Sequence, residues 1–167
     1  MKAQGPHYRV PFRRRREGRT DYRHRAHALR AGVPRAVVRK TLNQTLVQLV
    51  VAEATGDRVI ASARSFDLRE FGWSAGAGNV PAAYLTGLLA GRRAKAGGIT
   101  EAVLDIGLHK PSKGGRVFAA LQGLLDAGLS IPHGEDIAPS AERIRGDHIG
   151  EAVTKIFADV KKKLEAS

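Results

Sequence analysis

The 167 residues carry 28 Lys and Arg against 16 Asp and Glu, a formal net charge of +12 at pH 7, with an ordinary hydrophobic fraction of 43%. A chain of this length forms one domain with its own core and has residues left over for an appendage. The absence of cysteine excludes disulfides, thiolate zinc sites and cysteine nucleophiles.

The positive charge is concentrated at one end. Residues 1–40 hold 13 Lys or Arg and only two acids, Glu17 and Asp21, whereas the remaining 127 residues hold 15 basic and 14 acidic side chains. A basic arm therefore precedes a nearly neutral domain, and the partner it implies is rich in negative charge. The opening MKAQGPHYRVPFRRRR lacks the apolar segment of a secretory signal.

Residues 1–33 are poor in large apolar side chains and are expected to be extended or only locally helical without a partner. Arg13, Arg14, Arg15 and Arg16 repel one another and hold no core. An arginine fork binds phosphate oxygens two at a time, and each neutralised phosphate releases condensed counterions. Tyr8, Phe12, Tyr22, His7, His24 and His27 interleave the arginines with flat rings able to stack on unpaired bases. The arm thus reads as nucleic-acid-binding, ordering on its ligand; the alternative is a solvated charged surface or a localisation signal. RNA is favoured over DNA because no helix-turn-helix, zinc-finger or zipper pattern is present.

After the arm the pattern changes to Val- and Leu-rich runs. Residues 35–41, 45–53 and 58–65 read as three strands in a meander, with a turn at Thr55, Gly56 and Asp57. A Gly-rich loop follows at residues 72–79. Asn79 then caps a helix with Pro81 in its first turn, Tyr84, Leu85, Leu88 and Leu89 on one face, and a stop at Gly97 and Gly98. Residues 101–107 form the apolar run of a buried, central strand. Val117, Leu121, Leu124 and Leu125 mark a second helix ending at Gly128. The order βββαβα predicts an α/β layer in which helices cover a mixed sheet. Beyond it come a short helix at residues 141–144 and a longer one from about His148, with Ile149, Val153, Ile156 and Val160 in its stripe. The expected division is an arm at 1–33, a core at 34–129 and a helical C-terminal extension at 130–167.

Other chemical signals are weaker. The uncharged run at residues 72–91 has the length of a membrane span, but its glycines, proline and asparagine argue against one. GWSAGAGN fits neither the dinucleotide nor the lysine-containing phosphate loop, and is either a turn or a helix N-terminus receiving an RNA phosphate. Trp73 is either a core anchor or a stacking platform. Asp105 resembles the first carboxylate of a metal-dependent nuclease, yet no spacing brings Glu53, Asp57 or Asp67 to it, and a strand-end aspartate bonded to backbone is preferred. The six histidines show no HxxxH spacing, and neither a metal nor a cofactor is called for. Lys110, Lys113 and Arg116 make a second small basic loop that touches phosphate or is solvated.

YRVPFRRRREGRTDYRHR, PRAVVRKT, FGWSAGAGNVPAAYLTGLLAGRRA, LDIGLHKPSKGGRVFAALQGLLDAGLSIPHGED and ERIRGDHI occur in that order from Tyr8 to Ile149. Together they resemble the ribosomal protein family that binds 5S ribosomal RNA, large-subunit protein eighteen. The segment from IPHGED through ERIRGDHI points to its archaeal branch, related to the longer eukaryotic protein. The resemblance implies a non-enzymatic protein that joins 5S rRNA to the large-subunit rRNA in the central protuberance, beside another 5S-binding ribosomal protein. It also implies RNA contacts at Tyr8, Arg9, Phe12, Arg13 to Arg16, Arg19, Thr20, Tyr22, Arg23 and Arg25, at Arg35, Arg39 and Lys40, and in the loop from Trp73 to Asn79. No membrane and no small-molecule substrate belong to this reading. A free-standing RNA chaperone or regulatory RNA-binding protein is the alternative, and a metal-dependent nuclease the lesser one.

Overall fold

A computed structural model describes residues 5–134 and 136–166; the first four residues of the arm, and single positions within and at the end of the C-terminal extension, lie outside them. The arm is locally helical, with α1 (Arg13–Arg16) and α2 (Tyr22–Arg30). Asp21 starts α2 by accepting from the backbone N–H groups of Arg23 and His24 at 2.9 and 3.2 Å, which satisfies two donors that the first helical turn leaves free.

The meander forms as expected from β1 (Arg35–Lys40), β2 (Thr45–Glu53) and β3 (Gly56–Arg64), and β4 (Val103–Asp105) joins it. Strand order is β3-β2-β1-β4, with β4 parallel to β1 and the other pairs antiparallel, so the sheet is mixed. The strand expected over residues 101–107 is corrected: β4 keeps three residues, lies at an edge and is half-buried. Gly107 at φ 60° turns the chain away, a conformation that glycine adopts without strain.

Alternation along β1 sends Ala36 and Val38 into the core and leaves Arg35, Val37 and Arg39 on the opposite face. On β2, Val47 and Leu49 point inward while Gln48 and Val50 share the face of Val37. β3 obeys the same division only because the register shifts: Leu49 pairs with Ala61 but Val50 pairs with Val59, leaving Ile60 as an extra residue. Asp57 and Val59 therefore lie on the open face, and Ala61 and Ala63 in the core.

Helices α3 (Val80–Ala96) and α4 (Arg116–Asp126) cover the inner face. The side chain of Asn79 accepts from the Ala82 N–H at 2.8 Å, Pro81 occupies the first turn, and Gly97 and Gly98 end the helix as read. α3 is buried nearly all round rather than along one stripe, because the sheet lies on one side and α4 and the C-terminal helices on the other. Gly87 and Gly123 sit where α3 and α4 cross. A Cβ on Gly87 would run into the Ala120 backbone, and one on Gly123 into the Tyr84 carbonyl.

The extension contains α5 (Ala141–Arg145) and α6 (Glu151–Ala166). α6 starts three residues later than expected, after Gly150 at φ 143°, so Ile149 is exposed and the buried face comprises Phe157, Val160 and Leu164. Phe157 packs on Tyr84 with ring centroids 5.6 Å apart, and the Lys163 ammonium donates to the Phe71 carbonyl at 3.0 Å. Among the described residues no helix is long and apolar enough to cross a membrane.

Overpacking at a site walled by backbone cannot relax through side-chain movement. Gly87→Ala should lower folding stability by at least about 1–3 kcal/mol in urea denaturation, whereas Gly134→Ala, where a Cβ meets nothing within 4 Å, should be nearly neutral.

Candidate nucleic-acid interface

Arg13, Arg14, Arg15 and Arg16 occupy the single turn of α1 and are all exposed. Arg14 Nε donates to the Thr20 hydroxyl at 2.8 Å, which fixes the stem of that side chain and leaves its terminal nitrogens for a ligand. Glu17 stands between Arg13 and Arg19 at 3.8 and 3.3 Å, long contacts on an exposed surface that contribute little to stability. Phe12 and Tyr22 face one another with centroids 5.1 Å apart, joining the start of α1 to the start of α2. Arg9, Arg19 and Arg23 are exposed, and Tyr8, Thr20, Tyr22 and Arg25 are half-buried. The arm therefore presents a dense set of cations with two aromatic rings at its base.

The open face of the sheet carries a row of alternating charges. Arg25 donates to both oxygens of Asp57 at 2.8 Å, Arg35 bridges Asp57 and Asp105 at 2.7 Å each, and Arg39 reaches Asp105 at 3.0 Å. The Arg25 hydrogen bonds, reinforced by Arg35, hold the Asp57 carboxyl down to about 2. Burial pushes the Asp105 carboxyl up, but Arg39, the Gly107 N–H and Arg35 outweigh it and keep it below the usual carboxylate range. This row anchors α2 to the sheet.

Two residues expected to meet RNA are buried in the fold. The Arg35 side chain is 4% exposed and engaged with two carboxylates, so it organises the sheet. Trp73 is buried and donates from Nε1 to the Gly76 carbonyl at 3.3 Å, which makes it a core anchor that closes the Gly-rich loop. Asn79 is half-buried and engaged as a helix cap. Arg39 donates to the Asp105 carbonyl at 2.7 Å as well as to its carboxylate and remains partly exposed. The nuclease reading fails at Asp105, whose oxygens are taken by two arginines and a backbone N–H. Among the described residues no group of three or more His, Asp or Glu is placed to hold a metal.

Some organising residues escape the sequence reading. Asp57 looks like a turn residue, yet the hairpin places it on β3, from which its carboxylate reaches Arg35 of β1 across β2. Arg116 donates to the carbonyls of Thr41 and Gly78 at 2.8 and 2.9 Å, binding the β1–β2 turn to the Gly-rich loop. Lys110 and Lys113 are exposed. The Lys40 N–H donates to His109 Nε2 at 3.1 Å, which requires an unprotonated Nε2. Burial, then Arg39, Lys40 and Arg116, push the His109 pKa below the ordinary value.

The chain matches, over residues 6–97 and 95–134, the protein family described as "Ribosomal large subunit proteins 60S L5, and 50S L18". It belongs to this family of large-subunit ribosomal proteins. It is 56% identical over 149 residues to the large ribosomal subunit protein uL18 of Natronomonas pharaonis, covering 89% of this chain and 81% of that protein. Against uL18 of Haloarcula marismortui it is 54% identical over 149 residues, covering 89% and 80%. The archaeal character read from the sequence agrees with both relatives. Family membership gives the exposed arm a structural, ribosomal setting in place of a catalytic one.

Removing one member of a buried ion network strands the others. Arg35→Ala should reduce folding stability by about 3–5 kcal/mol in urea denaturation, since Asp57 and Asp105 lose the cation between them. For His109 the folded state disfavours the proton, so the unfolded chain binds more protons and stability falls as pH drops below about 6.5. His109→Gln should flatten the decline of the urea midpoint between about pH 7 and 5.

Proposed function

We propose that the protein binds 5S rRNA and attaches it to the large-subunit rRNA in the central protuberance, next to another 5S-binding ribosomal protein. The observation that carries this reading is the exposed four-arginine turn, with Arg9, Arg19 and Arg23 near it in the arm, on a chain of this ribosomal family. Assembled RNA supplies the phosphate density that makes adjacent arginines favourable. In this division of labour residues 1–33 bind RNA, 34–129 form the rigid platform, and 130–167 brace its helical side. Arg9, Arg13 to Arg16, Arg19 and Arg23 meet phosphates, Tyr8, Phe12 and Tyr22 meet bases, and Lys40 flanks the platform. Arg25 and Arg39 act from the charged row, while Thr20 and Asn79 serve RNA through the conformation of their loops.

Filter binding of the purified protein to 5S rRNA, with tRNA as competitor over a salt series, tests the reading. Tight binding that survives excess tRNA and falls steeply with salt is expected; equal displacement by tRNA would identify a general RNA chaperone instead. Replacing Arg13 to Arg16 with Ala should weaken binding and reduce the salt slope by several units, at about 0.7–0.9 for each phosphate that is no longer neutralised.

A further inference from the structure

Between the arm and the open face of the sheet lies a groove of about 520 Å³. Its floor is set by strand register, with Val37 beside Gln48 and Val50 beside Val59. Val37 and Val50 are buried at the bottom of this cleft, 9% and 5% exposed, beneath a lining otherwise rich in arginine and aspartate. Val59 is 47% exposed. Arg14 and Arg19 belong to the arm side of the groove, and Tyr22 lines it as well. Arg35, another lining residue, keeps its buried Nε–H without an acceptor among the described residues.

We propose that this groove is the binding site of a single unpaired nucleotide of ribosomal RNA, with the base laid against the exposed Val59 above the buried Val37 and Val50, its edge read by Gln48, and its phosphate held by Arg14 and Arg19. The inference rests on the reading that the chain binds rRNA and adds a site to it. The volume falls in the range of roughly 300–1,000 Å³ that encloses one small molecule, so a duplex stays outside and an extruded nucleotide enters. An apolar floor rejects a phosphate but accepts the flat face of a base. Gln48 offers a carbonyl acceptor and an amide donor, the pair that matches the edge of adenine. The arginines on the arm match the charge of the nucleotide they would hold, and the carboxylates of Asp57 and Asp105 are already occupied by arginine, which removes their repulsion.

The test uses the full chain, 5S rRNA and deproteinised large-subunit rRNA. Gln48→Leu and Val59→Ala are compared with the unaltered protein after circular dichroism has shown the same fold. At least one of the two RNAs should be bound roughly five- to a hundred-fold more weakly by Gln48→Leu, with the salt slope unchanged because every arginine that meets a phosphate is still in place. A photo-reactive amino acid at position 59 should cross-link to an unpaired nucleotide, located by reverse transcription. Affinities within twofold for both RNAs, a weaker affinity accompanied by a shallower slope, or cross-links only to paired nucleotides would overturn the site while leaving the proposed function standing. Failure of the unaltered protein to bind either RNA would overturn both.

Discussion

Arg35 is a cation almost wholly removed from water, and two aspartates from different strands meet it there. An isolated charge in that position would be strongly unfavourable. Asp57 comes from the β2–β3 hairpin and Asp105 from the edge strand β4, so the cation joins elements far apart in the chain. Each carboxylate then has capacity left for another arginine, Arg25 from the arm and Arg39 from β1. Without these two acids, the arm's excess positive charge would meet Arg35 and Arg39 directly and be driven from the sheet. The arm's orientation is thus a consequence of how the sheet neutralises its own buried arginine.

The opposite face solves a different problem with no charges at all. α3 and α4 approach until Gly87 and Gly123 leave no space for a methyl group, and the sheet fills the remaining side with small and branched residues. Close-packed backbone of this kind is stiff. A rigid inner face and a charged outer face give the arm a fixed base from which to present its arginines.

Much of this organisation was legible in the sequence. The meander, the Asn79 cap and the glycine stops all rest on local signals, and local signals survive folding. The exceptions depend on pairing. Arg35 reads as another basic residue near the arm until β1 is placed between Asp57 and Asp105. Trp73 has two plausible environments until its loop closes over the core. Residues 101–107 have the composition of a buried strand, but only Val103–Asp105 join the sheet, since Glu101 bridges to Ser130 instead and Gly107 turns the chain away. Ile149 fits the period of α6 yet falls ahead of its first residue, because Gly150 sets the boundary. In each case the residue type was informative and the neighbour was not.

The extra residue in β3 has a consequence for how this chain can vary over evolutionary time. Ile60 lets Asp57 and Val59 face outward while Ala61 and Ala63 face inward, so the two halves of one strand are held out of phase by a single position. Substitutions along β3 alter one side chain each. Regular pairing of the whole strand without the shift, Ile60 opposite Val50, would instead exchange the two faces of half the strand, sending an aspartate toward the core and detaching the arm's anchor. The pairing of this hairpin is therefore more constrained than its length: deletion of Ile60 leaves Val50 opposite Val59 and Leu49 opposite Ala61 and keeps both faces, whereas a slip of one position does not.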